Sequence, residues 1–207
     1  MLQRVLPMAL IACLVAPLAA QTPAGLKMRV DRSTSASDPD DNPELKVVTA
    51  GKGFRVTGGP AGVFWKPTDT ATGDYTVKAT FDLQQPSNHV NFYGLVFGGR
   101  NLEGADQAYN YFVVAQNGMF QVRQMQAGKA TNVAPRTAHA AIKTPDASGK
   151  STNALEVRVA GDTVSYVVNG QVVHTTPKAG MTTDGLVGVR VNHMLDVQVQ
   201  GFELQKK

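Results

Sequence analysis

One cysteine, Cys13, and one tryptophan, Trp65, are all that this 207-residue chain holds of either type. A lone thiol allows no intrachain disulfide and no thiolate zinc cage, so stability must come from a packed core. Charge of one sign is not concentrated anywhere: 20 Lys and Arg are scattered among 16 Asp and Glu, for a formal net charge of +4. Binding to nucleic acid calls for a basic patch or stripe, and none is present, so nucleic acid is not expected as a partner. Chemistry-bearing residues are scarce too. The glutamates are Glu44, Glu103, Glu156 and Glu203, and the histidines are His89, His139, His174 and His193, with no two of them at a metal-ligand spacing. No cofactor and no metal are expected from such a set.

What the chain does have begins with its first twenty residues, MLQRVLPMALIACLVAPLAA. One basic residue, Arg4, precedes an apolar stretch that ends in small residues, the layout of a secretory signal peptide. Pro7 and Pro17 interrupt the stretch, which is short for a bilayer span. The expectation is removal of residues 1–20 after Ala20 and a periplasmic or secreted product with no transmembrane segment in the mature chain. Leu10-Ile11-Ala12-Cys13 offers a second processing route, in which a lipoprotein is cut before Cys13 and anchored there by acylation. Cleavage after Ala20 removes Arg4, lowering Lys plus Arg from 20 to 19 and leaving a mildly basic chain at +3.

Residues 21–44 are rich in Ser, Thr, Asp and Pro and read as an N-terminal arm with one short strand, LKMRV at 26–30. From 45 to 207 the apolar period is two nearly throughout, with no convincing helical face. Tyr75, Val77, Ala79, Phe81 and Leu83 alternate with Asp74, Thr76, Lys78, Thr80 and Asp82, and Leu155, Val157 and Val159 alternate with Glu156 and Arg158. An antiparallel sheet covered on one face produces this pattern. In TVSYVVNGQVVHT, Asn169-Gly170 supplies a type I′ turn, which predicts Val168 opposite Gln171, Tyr166 opposite Val173 and Ser165 opposite His174. Further strands are expected at 53–57, 62–66, 91–98, 109–115, 119–125 and 186–192. Near the C-terminus, Leu195, Val197 and Val199 fall out of phase with Phe202 and Leu204, and a bulge at Gly201 would restore the phase. Ten or more short strands with frequent turns predict an all-β, two-sheet antiparallel β-sandwich.

The stretches NALEVRVAGDTVSYVVNGQVVHT and DGLVGVRVNHMLDVQVQGFEL resemble the closing half of the concanavalin A-like (laminin-G-like) lectin and glucanase superfamily. GDYTVKATFDL and NFYGLVFGGRNLEG resemble central strands of exported bacterial proteins related to the 3-keto-disaccharide hydrolase domain. The resemblance covers about 45–204 and implies a concanavalin-like jelly roll. For function it implies a carbohydrate-binding module, a hydrolase of a modified (3-keto) disaccharide, or an interaction domain of the cell envelope. The superfamily's glucanases carry a Glu-x-Asp-x-x-Glu strand, so that alternate carboxylates face the cleft. This chain has no such run, which weighs toward binding rather than catalysis and leaves no catalytic residue to name.

Strands 93–99 and 109–115 carry apolar or aromatic residues on both faces, so one face needs a cover or a ligand. The arm 21–44 or the stretch 126–150 could lie across it, or it could form a shallow groove for carbohydrate or polysaccharide. Parity names the groove's side chains. Phe120 and Val122 inward put Gln121 and Arg123 outward, and Val187, Val189 and Val191 inward put Arg190 and Asn192 outward. The candidate carbohydrate-binding set is Asn91, Tyr109, Tyr111, Gln121, Arg123, Arg190 and Asn192, with His193 at its edge. Trp65 shares its parity with Val63 and is assigned to a core. His174, opposite Ser165, is expected in solvent. Asp38-Pro39-Asp40-Asp41-Asn42 begins like a calcium loop, but Pro43 and Thr49 stand where such a loop requires Gly and Glu, so it is read as a solvated turn.

The processing site is directly testable. N-terminal sequencing and intact mass of the protein exported from a bacterial host should give Gln21 as the first residue. A lipid-modified Cys13 at the N-terminus would overturn this in favour of the lipoprotein.

Overall fold

The structure, a computed structural model, describes residues 22–33, 35 and 38–207. The expected signal peptide, its expected cleavage site after Ala20 and Cys13 lie outside the described residues. Among the described residues there are fourteen strands: β1 (Lys27–Asp31), β2 (Lys46–Ala50), β3 (Gly53–Thr57), β4 (Ala61–Ala71), β5 (Tyr75–Gln85), β6 (Phe92–Arg100) and β7 (Ala108–Ala115). They continue as β8 (Met119–Gln126), β9 (Lys129–Ala138), β10 (Ser151–Ala160), β11 (Thr163–Val168), β12 (Gln171–Pro177), β13 (Gly185–Val191) and β14 (Asp196–Lys206). All their pairings are antiparallel, in two seven-stranded sheets. Sheet A runs β1-β4-β13-β6-β7-β8-β9 and sheet B runs β12-β11-β10-β5-β14-β3-β2. The two-sheet antiparallel sandwich expected from the period-two patterning is what forms.

Alternation places the core. Tyr75, Val77, Ala79, Phe81 and Leu83 of β5 and Leu155, Val157 and Val159 of β10 are buried between the sheets, facing Tyr93, Leu95, Phe112, Val114, Val187, Val189 and Val191 of sheet A. Across the gap the ring of Phe112 lies 5.2 Å from that of Tyr166, and Phe81 lies 5.6 Å from Tyr93. Aromatic pairs at such tilted geometries add about 0.5–1.5 kcal/mol beyond the area they bury. The Asn169-Gly170 turn forms with φ of 49° and 83°, the two positive values that a type I′ turn requires. Asn169 is also a clamp: its amide accepts from the Ala154 N–H and donates to the Ala141 carbonyl and to Asn153.

Two details of that hairpin differ from expectation. Val168 does oppose Gln171, but a bulge between Tyr166 and Val167 shifts the rest by one, so Tyr166 opposes His174 and Ser165 opposes Thr175. His174 therefore leaves the solvated face and stacks on Tyr166, 6.0 Å between centroids, and meets Phe120 at 5.9 Å. The bulge at Gly201 forms as expected, with positive φ and a register shift between Gln200 and Glu203. Phe202 and Leu204 then pack against the core that Leu195, Val197 and Val199 share.

Neither segment proposed as a cover lies across the outer face of sheet A. The arm contributes β1, which pairs beside β4 at one edge, and residues 129–138 form β9, which pairs beside β8 at the other. Beyond β9, Ala141 and Ile142 turn into the inter-sheet core. The acidic stretch forms a 3-10 turn, Pro39–Asp41, in which the Asp38 carboxylate accepts the Asp40 N–H and Asp41 accepts the Ser33 N–H.

Burial pushes the hydroxyls of Tyr109 and Tyr166 up from 10 to about 12. A raised folded-state value means that the unfolded chain releases these protons first. The stabilisation is complete below pH 10 and is lost as pH rises toward 12, at about 1.4 kcal/mol per pH unit per tyrosine. Urea unfolding should show stability falling between pH 10 and 12, with folded-state tyrosinate absorbance lagging behind. A flat profile across that window would contradict the burial assignment.

Candidate functional site

Outward parity collects a second apolar cluster on sheet A: Val63, Trp65, Phe92, Val96, Tyr109, Tyr111, Val113, Ala115 and Met125, with Leu102 from the β6–β7 loop. The register lines these residues up across the strands. Arg29 opposes Val63, Val63 opposes Arg190, Arg190 opposes Gly94, Gly94 opposes Val113, and Val113 opposes Gln121. In the next row Lys27, Trp65, Gly188, Val96, Tyr111, Arg123 and Asn132 follow one another. Gly94 and Gly188 contribute no side chains, so the middle of the face is shallow.

Arg190 is the hub. Only 8% exposed, it donates from Nη1 to Asp31 Oδ2 at 2.8 Å and to Tyr109 Oη at 2.9 Å, and from Nε to Asn192 Oδ1 at 3.0 Å. Its guanidinium lies 5.3 Å from the centroid of Tyr111, a cation–π contact. Burial disfavours the charged form, but Tyr109, Asp31 and Tyr111 more than offset this, and the Arg190 pKa stands above its ordinary value. Asp31 takes a second charge-assisted bond, from Arg29 Nε at 2.8 Å. Arg29 in turn donates to the Gly104 carbonyl at 2.7 Å and ties down the loop that carries Leu102. The rings beneath are largely covered, Tyr109 at 2% and Tyr111 at 3% exposure.

Of the eight residues expected at the site, Tyr109, Tyr111, Gln121, Arg123, Arg190 and Asn192 are brought onto this face. Asn91 and His193 are set at its margin. Asn91 is buried and staples the turn before β6, donating to Ser87 Oγ and meeting His89 Nε2, each at 3.0 Å. His193 sits in the turn after β13 within electrostatic reach of Asp38, its Nδ1 buried and unpartnered. Trp65 lies in the outer cluster together with Val63, as their shared parity required. Sequence reasoning missed Arg29, Asp31, Phe92 and Arg136. Arg29 and Asp31 alternate with Met28 and Val30, so parity was readable once 27–31 was taken as a strand of the sheet. Arg136 was hidden because β9 is polar and contains Pro135, a composition tolerated on an edge strand.

No protein-family model matches the chain, and no curated protein matches it. Among solved structures it is similar to the carbohydrate-binding module CBM66 of Bacillus subtilis, at 12% identity and a TM-score of 0.62, over 78% of this chain and 92% of that one. It is also similar to a Bacillus subtilis protein of unknown function with a galectin-like fold, at 13% identity and a TM-score of 0.61, over 87% and 88% of the two chains. A third is the cellulose-induced protein Cip1, at 15% identity and a TM-score of 0.51, over 88% and 92%. The fold is a two-sheet antiparallel jelly roll. Such distant likeness establishes architecture, and the ligand has to be argued from the site.

Two cavities bear on that argument. One of about 650 Å³ opens at an end of the outer face, between Lys27, Trp65, Leu102, Glu103, Asp106 and Leu186. The other, of about 870 Å³, lies between the sheets where β4 faces β3 and β14. Its walls are core side chains such as Phe54, Phe64, Val189 and Val199, and its lysines, Lys52, Lys66 and Lys206, are exposed. The outer face differs in having polar groups already fixed by hydrogen bonds beside aromatic side chains, the composition of a ligand site.

Asp31→Asn should leave the buried Arg190 charge uncompensated and cost about 3–5 kcal/mol, read from urea unfolding at neutral pH. A cost under about 1 kcal/mol would show that Arg190 does not depend on this partner.

Proposed function

We propose that this protein is an extracytoplasmic carbohydrate-binding module whose site is the outer face of sheet A, centred on Arg190. The observation that carries this reading is the buried guanidinium with its fixed partners Asp31, Tyr109 and Asn192. Sugar hydroxyls are bound best by polar groups that need no reordering, because each side chain immobilised on binding costs about 0.5–1.5 kcal/mol. Gln121, 6% exposed, lies in line with Arg190 and Val113, and its amide makes no hydrogen bond among the described residues, which leaves it a donor and an acceptor for hydroxyls. Trp65 and Tyr111, each 3% exposed, form the apolar layer on which these polar groups rest. The CBM66 and galectin-like neighbours, alike in fold, are compatible with a saccharide on such a sheet.

The hydrolase reading asks for two carboxylates across one glycosidic bond. The carboxylate that meets Arg190 is Asp31, and it is held by Arg29 and Arg190 together. That geometry suits a fixed acceptor better than a proton shuttle, and it places binding ahead of catalysis.

A soluble-polysaccharide panel tested by affinity electrophoresis and calorimetry should find at least one glycan bound. Gln121→Ala should weaken it by about tenfold, the loss of a net hydrogen bond of about 1.4 kcal/mol, without a change in melting temperature, whereas Asn192→Ala should weaken it and also lower the melting temperature, because the buried Arg190 Nε loses its acceptor. A folded protein that binds no glycan would contradict the reading.

A further inference from the structure

The arginines among the described residues fall into two groups. Arg29 and Arg190 meet Asp31, Arg32 meets Glu44, Arg55 meets Asp196, and Arg158 meets Glu156. Arg100, Arg123 and Arg136 have no carboxylate partner among the described residues. Arg100 is exposed at the end of β6, whereas Arg123 and Arg136 converge on one half of the outer face of sheet A. Arg123 opposes Tyr111 in the ladder, beside the ring that Arg190 covers. Arg136 reaches from edge strand β9 across β8 and β7 to lie 5.0 Å from the centroid of Phe92 on β6.

The two guanidinia are held in place but unfulfilled. Arg123 donates from Nη2 to the Ala130 carbonyl at 3.0 Å, while its Nε is buried with no hydrogen-bond partner. A buried donor left unpaired costs about 1–3 kcal/mol and calls for an explanation. Arg136 is held only by its cation–π contact with Phe92, and its N–H groups make no hydrogen bond among the described residues. Carboxylates cluster at the opposite end, where Glu103 is paired with Lys27 and Asp106 with Asn101. The face thus carries uncompensated positive charge on its β8–β9 half, where it would concentrate an anion.

We infer that the saccharide bound on this face is acidic, with its carboxylate or sulfate group received by Arg123 and Arg136. This rests on the outer face of sheet A being the saccharide site. The planar guanidinium fork matches an anionic oxygen pair in a bidentate geometry, and such charge-assisted bonds are roughly twice as strong as neutral ones. Gln121, between the two arginines in the register, would contact the same sugar residue.

The test compares polygalacturonate with its carboxyl-reduced neutral form, and dextran sulfate with dextran, by calorimetry on the mature protein. Polygalacturonate or dextran sulfate should bind at least about tenfold more tightly than its neutral counterpart, and added salt should weaken binding. Preference for one acid over the other identifies carboxylate or sulfate as the group received. Arg123→Gln and Arg136→Gln should each lose about tenfold toward the acidic polymer with the melting temperature unchanged, while Arg158→Gln on sheet B should lose nothing. Equal binding of neutral and acidic polymers, or equal losses for Arg158→Gln and Arg123→Gln, would overturn the acidic assignment and leave saccharide binding standing. Binding to no polymer, acidic or neutral, would overturn both.

Discussion

A guanidinium buried on the outward side of a sheet is the constraint around which this structure is arranged. Arg190 is almost wholly covered, and a charge in that position is tolerable only with a countercharge and filled hydrogen bonds. Asp31 supplies the countercharge, but only because β1 docks beside β4 and brings its third outward residue into line. Tyr109 comes from β7, two strands away on the other side, and Asn192 from the end of Arg190's own strand. One side chain thereby binds the arm, the centre and the far half of sheet A into a single polar unit, and Arg29 extends it to the β6–β7 loop.

The rest of the sandwich makes that unit possible. The inter-sheet core, with Phe112 against Tyr166 and Phe81 against Tyr93, fixes the two sheets face to face. Alternation then leaves no freedom about which residues of β6, β7, β8 and β13 face outward, because a slip of one residue would move every core side chain to the other face. The site is rigid for the same reason as the core: it sits on paired strands rather than on loops. A surface so organised is suited to recognition with little reordering, and its uneven charge, with paired acids at one end and unpaired arginines at the other, gives it a direction.

Much of this could be read in the sequence, because period-two patterning in β5, β10 and β13 fixes both the element and its faces. Arg190, Asn192, Gln121 and Arg123 were placed outward by counting from valines that had to be inward, and the structure agrees. What counting could not supply was strand order. Arg29 and Asp31 fall in a polar arm whose docking edge is set by tertiary contacts, and Arg136 lies on an edge strand that has little apolar content to signal it. The hairpin at Asn169-Gly170 was legible from its turn chemistry, but the bulge between Tyr166 and Val167 has no glycine or other turn residue to signal it, so the register beyond it was missed by one. Asn91, expected inside the strand at 91–98, lies just before β6, and its amide nitrogen is taken up by Ser87 and His89.

The most direct test of the central claim is a crystal structure of the mature protein with a bound oligosaccharide from the polymer it binds best. A sugar ring lying over β7 and β8, with polar contacts to Gln121 and the guanidinia of Arg123 and Arg190, is the predicted result. A sugar seated instead in the cleft between the sheets, against Phe54 and Phe202, with the outer face of sheet A empty, would contradict it.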